Sequence, residues 1–318
     1  MKKFLLSLPV ALFLIQSVFS ADISFNRIAQ HYGMQRYDIS AKQIEYRRGT
    51  TKIVFYPPKR EFYFNGMRII PGYAPEKKTV RKRWHWKKEN DIFISSSDWY
   101  STLRPLLSPE TVPNHRVFTI TLDAGHGGND TGALGRFSRE KDITLQITRR
   151  TAAILRACGY KVLLTRNSDS TVALKERSAI QRRQKSDIFV SIHVNAVKNK
   201  SITGIETYAL TPADAPSTNG KSQLERHPAN IRNANNFVLA HALQRAMLTR
   251  TRAADRGVKR ARFAVLRDVT APGALVEVGF ISNANEEKLL NSKAYIEKLS
   301  RAIAEGILTY HRTVSRSR

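Results

Sequence analysis

Three neighbouring stretches decide the fold: FTITLDAGHGG (118–128), DITLQITRRTAAILRACG (142–159) and KVLLT (161–165). The first opens with a short apolar strand, Phe118–Leu122, and ends in glycines that let a backbone turn sharply. In the second, Asp142 is placed to cap a helix carrying Ile143, Ile147, Ile154 and Cys158 on one stripe, stopped by Gly159. The third is again a strand. Further along, a helix is expected over Val172–Gln184 and strands over Ile188–His193 and Gly204–Leu210. A helix over Asn235–Leu248, a buried strand over Gly273–Val278 and a last helix over Ala294–Tyr310 complete the series. This alternation predicts an α/β domain (117–311) with a mixed, largely parallel sheet covered by helices. Thr211–Ile231 carries Pro, Ser, Asn and Gly without periodicity and reads as a loop.

Upstream the texture changes. From Ala21 to Leu107, short aromatic runs at Thr51–Tyr56, Phe62–Tyr63 and Asp91–Ser95 alternate with basic turns, and Asn65-Gly66 signals a tight turn. Ser97–Leu107 resembles a short capped helix, and Pro75–Lys88 reads as a solvated basic loop. Residues 21–107 are therefore expected to form a small α+β accessory domain. A linker at 108–116 follows, marked by Pro109 and Pro113, and a basic tail occupies 312–318.

Lys and Arg total 53 against 26 Asp and Glu, a net charge of +27. Such a surface favours polyanions. Lys2 and Lys3, the apolar run Phe4–Phe19 and the small residues Val18 and Ser20 before Ala21 form a secretory signal peptide (1–20) with a cleavage site. The run is shorter than a bilayer span requires. Export, to the periplasm or beyond, demotes nucleic acid as the natural partner and leaves an anionic membrane surface, an anionic wall or acidic substrates. The single cysteine, Cys158, is expected to be a small buried hydrophobe.

Open α/β sheets place their sites at the carboxyl ends of strands. His126 lies just past one strand and His193 closes another. Taken alone, each reads as well as a structural imidazole, and Glu140, before a helix, is expected on dipole grounds alone. Glu277 is harder to explain, because it interrupts the apolar strand Ala274-Leu-Val-Glu-Val-Gly279 and a buried carboxylate needs a partner or a task. Two imidazoles and a carboxylate make a catalytic zinc shell with one position left for water, and a further acid beside it serves as general base. His126, Glu140 and His193, with Glu277, supply that set.

The motifs carry a more specific message. Leu122-Asp-Ala-Gly-His-Gly-Gly128, Glu140-Lys-Asp142, Leu163-Leu-Thr-Arg166, Ser191-Ile-His-Val-Asn-Ala196, Asp255-Arg-Gly-Val258, Phe263-Ala-Val-Leu-Arg267 and Leu275-Val-Glu-Val-Gly-Phe-Ile-Ser-Asn283 occur in order. Through them the stretch Thr119–Tyr310 resembles the zinc-dependent N-acetylmuramoyl-L-alanine amidases, the type 3 family of peptidoglycan-splitting enzymes. The resemblance covers the whole C-terminal domain. It implies a zinc ion held by His126, Glu140 and His193, with Glu277 catalytic. The reaction implied is hydrolysis of the amide joining the lactyl group of N-acetylmuramic acid to L-alanine, on peptidoglycan or its muropeptide precursors, in wall remodelling or cell division. Asp123 is a candidate to orient a zinc-bound imidazole, or simply a turn former. Asn195 reads as a substrate contact or a loop cap, and Arg166 and Arg177 as family positions or structural ion-pair partners. Some relatives carry a long helical insertion that blocks the metal until an activator protein removes it. Thr211–Ile231 is too short and polar for that, so an open site is expected, with Glu225 the carboxylate able to reach the metal as a plug. The sequence names no activator.

Two rival activities share these residues. A zinc peptidase acting on stem peptides would use the same metal shell. Ser138-Arg-Glu-Lys141 also spells the S-x-x-K pattern of penicillin-sensitive DD-carboxypeptidases, without a K-T-G partner and with Glu140 inside it.

Overall fold

The structure is a computed structural model that describes residues 22–81, 88–114, 116–219 and 224–315. The expected signal peptide lies outside the described residues. The N-terminal part runs β1 (Asp22–Ser24), α1 (Phe25–His31), β2 (Gln35–Ser40), β3 (Gln43–Arg48), β4 (Thr51–Phe55), β5 (Phe62–Phe64), β6 (Met67–Ile69), β7 (Glu76–Arg81) and β8 (Lys88–Ser95). Helical turns α2 (Ser96–Asp98) and α3 (Arg104–Leu107), joined by a π turn, follow. The C-terminal part runs β9 (Thr119–Ala124), α4 (Glu140–Ala157), β10 (Lys161–Leu164), α5 (Leu174–Arg183), β11 (Ile188–Asn195) and β12 (Ile205–Leu210). It continues with α6 (Asn233–Thr251), β13 (Asp255–Ala261), α7 (Ala264–Arg267), β14 (Gly273–Phe280), α8 (Ala284–Leu290) and α9 (Lys293–Val314).

The strand order is β10-β9-β11-β14-β12-β13-β6-β5-β4-β3-β2, a mixed sheet. β9 pairs in parallel with β10 on one side and β11 on the other. The chain therefore reverses direction of travel at the β9–β11 boundary, where open α/β sheets leave a crevice at the strand ends. Alternation along β11 separates two cores. Val190, Ile192 and Val194 join the large core under α4, α6 and α9, while Phe189 joins a smaller one with Leu275 and α7. His193 has the parity of Phe189, so it leaves the face opposite the large core.

The small N-terminal part of strands fits the expected accessory domain, and it is joined to the C-terminal sheet. β6 pairs in parallel with β13 through Ile69 and Val258, and Ile70 N–H donates to Val258 O at 2.9 Å. Phe25, Ile44 and Phe55 share one buried cluster with Phe237, Leu243 and Ile303. Arg260 fastens this junction. Its guanidinium donates to Leu210 O (3.2 Å), Ser101 O (2.7 Å), Ser101 Oγ (3.0 Å) and Thr102 Oγ1 (2.8 Å), and lies 4.5 Å over the Phe237 ring. Burial lowers its pKa to about 10, against the opposing fields of Asp98 and Asp214.

Several expectations are corrected. Within the expected linker, Val112 is buried and Pro113 O accepts from Asn235. The basic loop contains β7, whose lysines are carried on a strand paired with β8. The last helix runs to Val314, into the expected tail. α4 begins at Glu140 rather than beyond a capping Asp142, which instead lies in its first turn and accepts from Arg139 at 2.7 Å. Cys158 is exposed, because the buried stripe of α4 runs through Ile143, Ile147, Thr151 and Leu155 and leaves the helix C-cap in solvent.

Arg260→Ala should strand the acceptors of Ser101 and Leu210 in the core. A loss of about 3 kcal/mol of unfolding free energy is expected from urea denaturation. A loss below about 1 kcal/mol would show that the junction does not depend on this side chain.

Candidate metal centre and active site

The turn after β9 is built for close approach. His126 itself has φ of +61°, and the turn closes with Gly127 N–H donating to Asp130 O at 2.9 Å. Gly125 and Gly132 are walls of the site. A Cβ on Gly125 would lie 2.5 Å from His193 Cε1, and one on Gly132 would lie 2.6 Å from His126 Cδ2 and 2.7 Å from Glu140 Oε2. Any side chain at either position would push an imidazole out of place.

Two buried arginines hold this turn. Arg166 donates to Ala124 O (3.0 Å), Gly125 O (2.8 Å) and Lys141 O (2.8 Å). Arg177 donates to Ala124 O and His126 O, both at 2.7 Å, and to Asp123 Oδ1 at 2.7 Å. Asp123 also accepts from Thr165 Oγ1 and Ser191 Oγ, both at 2.6 Å. It therefore anchors Arg177 and the strand ends and does not orient an imidazole.

Glu140, His126 and His193 converge from α4, the glycine turn and β11, their ligand atoms all within 4.8 Å of one another. Glu140 Oε1 lies 3.2 Å from His126 Nε2 and 2.9 Å from His193 Nδ1. The Glu140 carboxylate also accepts from Ala133 N–H (2.8 Å) and Val194 N–H (3.0 Å). Burial would raise its pKa, but the bonds from the two histidines overcome this and hold the carboxyl far below the usual range. For His126 burial acts downward, and the contacts with Glu140 and Asp130 outweigh it to raise the imidazole. Two imidazoles on one buried carboxylate oxygen is a donor set that fits a divalent metal of the zinc type.

Glu277 stands beside this set. On β14 it is the register partner of His193 on β11, so both side chains leave the same face of the sheet. Its Oε2 is buried and has no hydrogen-bond partner among the described residues. Burial first, and then the charges of Glu140 and Glu206, raise its pKa well above the usual value, with Lys259 opposing. A carboxylate so placed is equipped to exchange a proton.

The family model described as N-acetylmuramoyl-L-alanine amidase matches residues 120–309. The chain belongs to that amidase family. It is 33% identical over 217 residues to the N-acetylmuramoyl-L-alanine amidase AmiA of Escherichia coli (strain K12), covering 60% of this chain and 75% of AmiA. Among solved structures, the catalytic domain of the amidase CwlV from Bacillus (Paenibacillus) polymyxa var. colistinus is similar at a TM-score of 0.53 and 30% identity. That match covers 62% of this chain and 99% of the CwlV chain. The CwlD amidase from Clostridioides difficile, solved in complex with the GerS lipoprotein, matches at a TM-score of 0.52 and 31% identity, covering 61% of this chain and 98% of that one. Strands β1–β8 lie upstream of the matched residues.

The remaining candidates have other engagements in this amidase. Ser138 Oγ donates to Glu287 Oε1 at 2.8 Å, whereas Lys141 Nζ donates to Gly128 O (2.8 Å) and Asp169 Oδ2 (2.7 Å). The S-x-x-K pair is thus split between two unrelated contacts. Glu225 lies 3.4 Å from His227 and is not part of the His126–Glu140–His193 group. Asn195 donates to Glu206 Oε1 at 2.8 Å. Sequence reasoning missed Asp130 and Glu206. Asp130 Oδ2 accepts from His126 Nδ1 at 2.8 Å, which puts the proton on Nδ1 and leaves Nε2 facing Glu140. Its signal was faint, a turn residue four places after the histidine. Glu206, in the apolar strand Ile205-Glu-Thr-Tyr-Ala-Leu210, carried the same signal as Glu277.

If the group holds a divalent metal, Asp130→Asn should weaken its binding by about tenfold to a hundredfold, read by competition with a chelator. Unchanged affinity would show that His126 needs no such partner.

Proposed function

We propose that this chain hydrolyses the amide between the lactyl group of N-acetylmuramic acid and the L-alanine of peptidoglycan stem peptides, in wall remodelling or cell division. We assign zinc to His126, Glu140 and His193, and general base and acid work to Glu277. The observation that supports this most is the unpartnered Glu277 carboxylate, in register with His193 and next to the convergent triad. A zinc ion bound there supplies Lewis acidity toward the amide carbonyl and toward water.

The chain's own residues do the rest. Asp130 fixes the tautomer of His126. Arg166 and Arg177 keep the backbone that carries His126 in place. The Glu277 carboxylate takes the proton of the attacking water and delivers it to the departing L-alanine nitrogen, a role that needs an oxygen free of other bonds. The basic surface suits an anionic wall or membrane surface. Export is supported by the N-terminal sequence, and no helix among the described residues is long and apolar enough to cross a membrane.

Digestion of purified peptidoglycan should release free stem peptides beginning at L-alanine, identified by mass spectrometry. Shortened stems still attached to muramic acid would instead establish the peptidase. Glu277→Gln should lower turnover by roughly a hundredfold to ten-thousandfold while zinc content holds, whereas His193→Ala should lose the metal. Export predicts a mature chain beginning at Ala21, read by intact mass after expression in an exporting host, and a chain retaining Met1 would contradict it.

A further inference from the structure

A second carboxylate extends the row of His193 and Glu277. Glu206 on β12 is the register partner of Glu277 across an antiparallel pair, so the two side chains leave the same face with Cβ atoms about 5 Å apart. Like charges at that spacing repel unless one of them is compensated. The compensation is entirely one-sided. Glu206 Oε1 accepts from Asn195 Nδ2 at 2.8 Å and from the Tyr208 hydroxyl at 2.7 Å. Glu206 Oε2 accepts from the Lys259 ammonium and, at 3.4 Å, from Arg256 Nε. Glu277 receives no hydrogen bond from any described residue, although Lys259 is close enough for its charge to act there.

Both cations are also braced by rings. Lys259 Nζ lies 5.6 Å from the Tyr208 ring centroid, and the Arg256 guanidinium lies 5.0 Å from that of Phe280. The brace is aimed at Glu206, which is buried at 2% exposure. An ammonium released from it would find Glu277 as the next carboxylate along the row. A Glu277 closed into a salt bridge would have its lone pairs occupied and would be a poorer proton acceptor.

We propose that Glu206 is a positioning residue for the reaction: it captures Lys259 and Arg256, so that neither closes on Glu277 and the catalytic carboxylate keeps an oxygen free. This rests on the amidase reading of Glu277. A buried carboxylate saturated by four donors cannot itself serve as base, and its action is on the partners it withholds.

The test is a charge-removal pair in the full mature chain. Glu206→Gln should lower kcat by roughly tenfold or more, with KM within about threefold and zinc content unchanged. Adding Lys259→Gln in the same chain should restore kcat by at least about fivefold, since the freed ammonium is then gone. A purely structural Glu206 predicts no recovery, or a deeper loss, and that result overturns the proposal. Should Glu206→Gln not fold, the double variant removes both charges of the Glu206–Lys259 pair, leaving no ammonium to close on Glu277, and is compared directly with the wild type. Turnover within about threefold supports the proposal, and a loss beyond that overturns it. A crystal structure of Glu206→Gln reads the pairing without any assay. Lys259 Nζ within about 3 Å of a Glu277 oxygen is expected, and an ammonium that stays away overturns the capture. Failure of the wild type to release stem peptides would count against the amidase reading alone, because the crystallographic readout does not depend on it.

Discussion

Two guanidiniums under the glycine turn hold the geometry on which the His126–Glu140–His193 group depends. Arg166 and Arg177 are 3% and 4% exposed, and between them they bind the carbonyls of Ala124, Gly125 and His126 in succession. A residue with a side chain at φ of +61° is held against an intrinsic preference of roughly 1 kcal/mol, and these bonds keep His126 there. Among the described residues Asp123 is the one carboxylate bonded to the pair, through Arg177, and it also takes the hydroxyls of Thr165 and Ser191. Burial lowers the Arg166 pKa, and its neighbour Arg177 lowers it further. The pair therefore keeps a net positive charge beneath the glycine turn, while Glu140 is held anionic by its own contacts with the two imidazoles and the Ala133 N–H.

The same economy of edges explains the N-terminal strands. Within the family-matched residues β13 would end the sheet, exposing a row of backbone donors and acceptors. Here β6 pairs with it and passes the edge through a meander to β2. β2 is protected differently: it is mostly exposed, charged at Arg36 and Asp38, and irregular in register between Asp38 and Ser40. Arg260 and the shared aromatic core make that extension part of the catalytic unit's own packing. β13 also carries Arg256 and Lys259, so the strands that buttress it bear on the row of carboxylates as well.

Much of this was legible in the sequence, for physical reasons that also mark the limits. The apolar runs at Ile188–His193 and Gly273–Val278 are strands with no alternative use, and their ends brought His193 and Glu277 into register. Glu140 was weak from spacing, because an acid at a helix start is ordinary, and only the fold shows two imidazoles on it. Asp123 stayed open between two readings because a sequence cannot say which nearby donor, an imidazole or a guanidinium, an acid will face. Proline marks irregular backbone, but it cannot show that one residue within such a stretch, Val112, is buried. β7 was hidden by its lysines and by the lack of any buried residue along it; what makes it a strand is its pairing with β8.

Glu140, Glu277 and Glu206 are chemically alike and stand side by side at one end of a sheet, yet each is suited to a different task by its partners. Glu140 receives backbone N–H groups and two imidazoles, a set that fixes it as an anion and aims it at a metal. Glu206 receives the cations of β13, and it has no lone pair left for a substrate. Glu277 receives no hydrogen bond from any described residue. In a chain with 53 basic residues, leaving one buried carboxylate oxygen without a donor is the arrangement hardest to maintain, and the neighbour that absorbs the nearby cations is what maintains it.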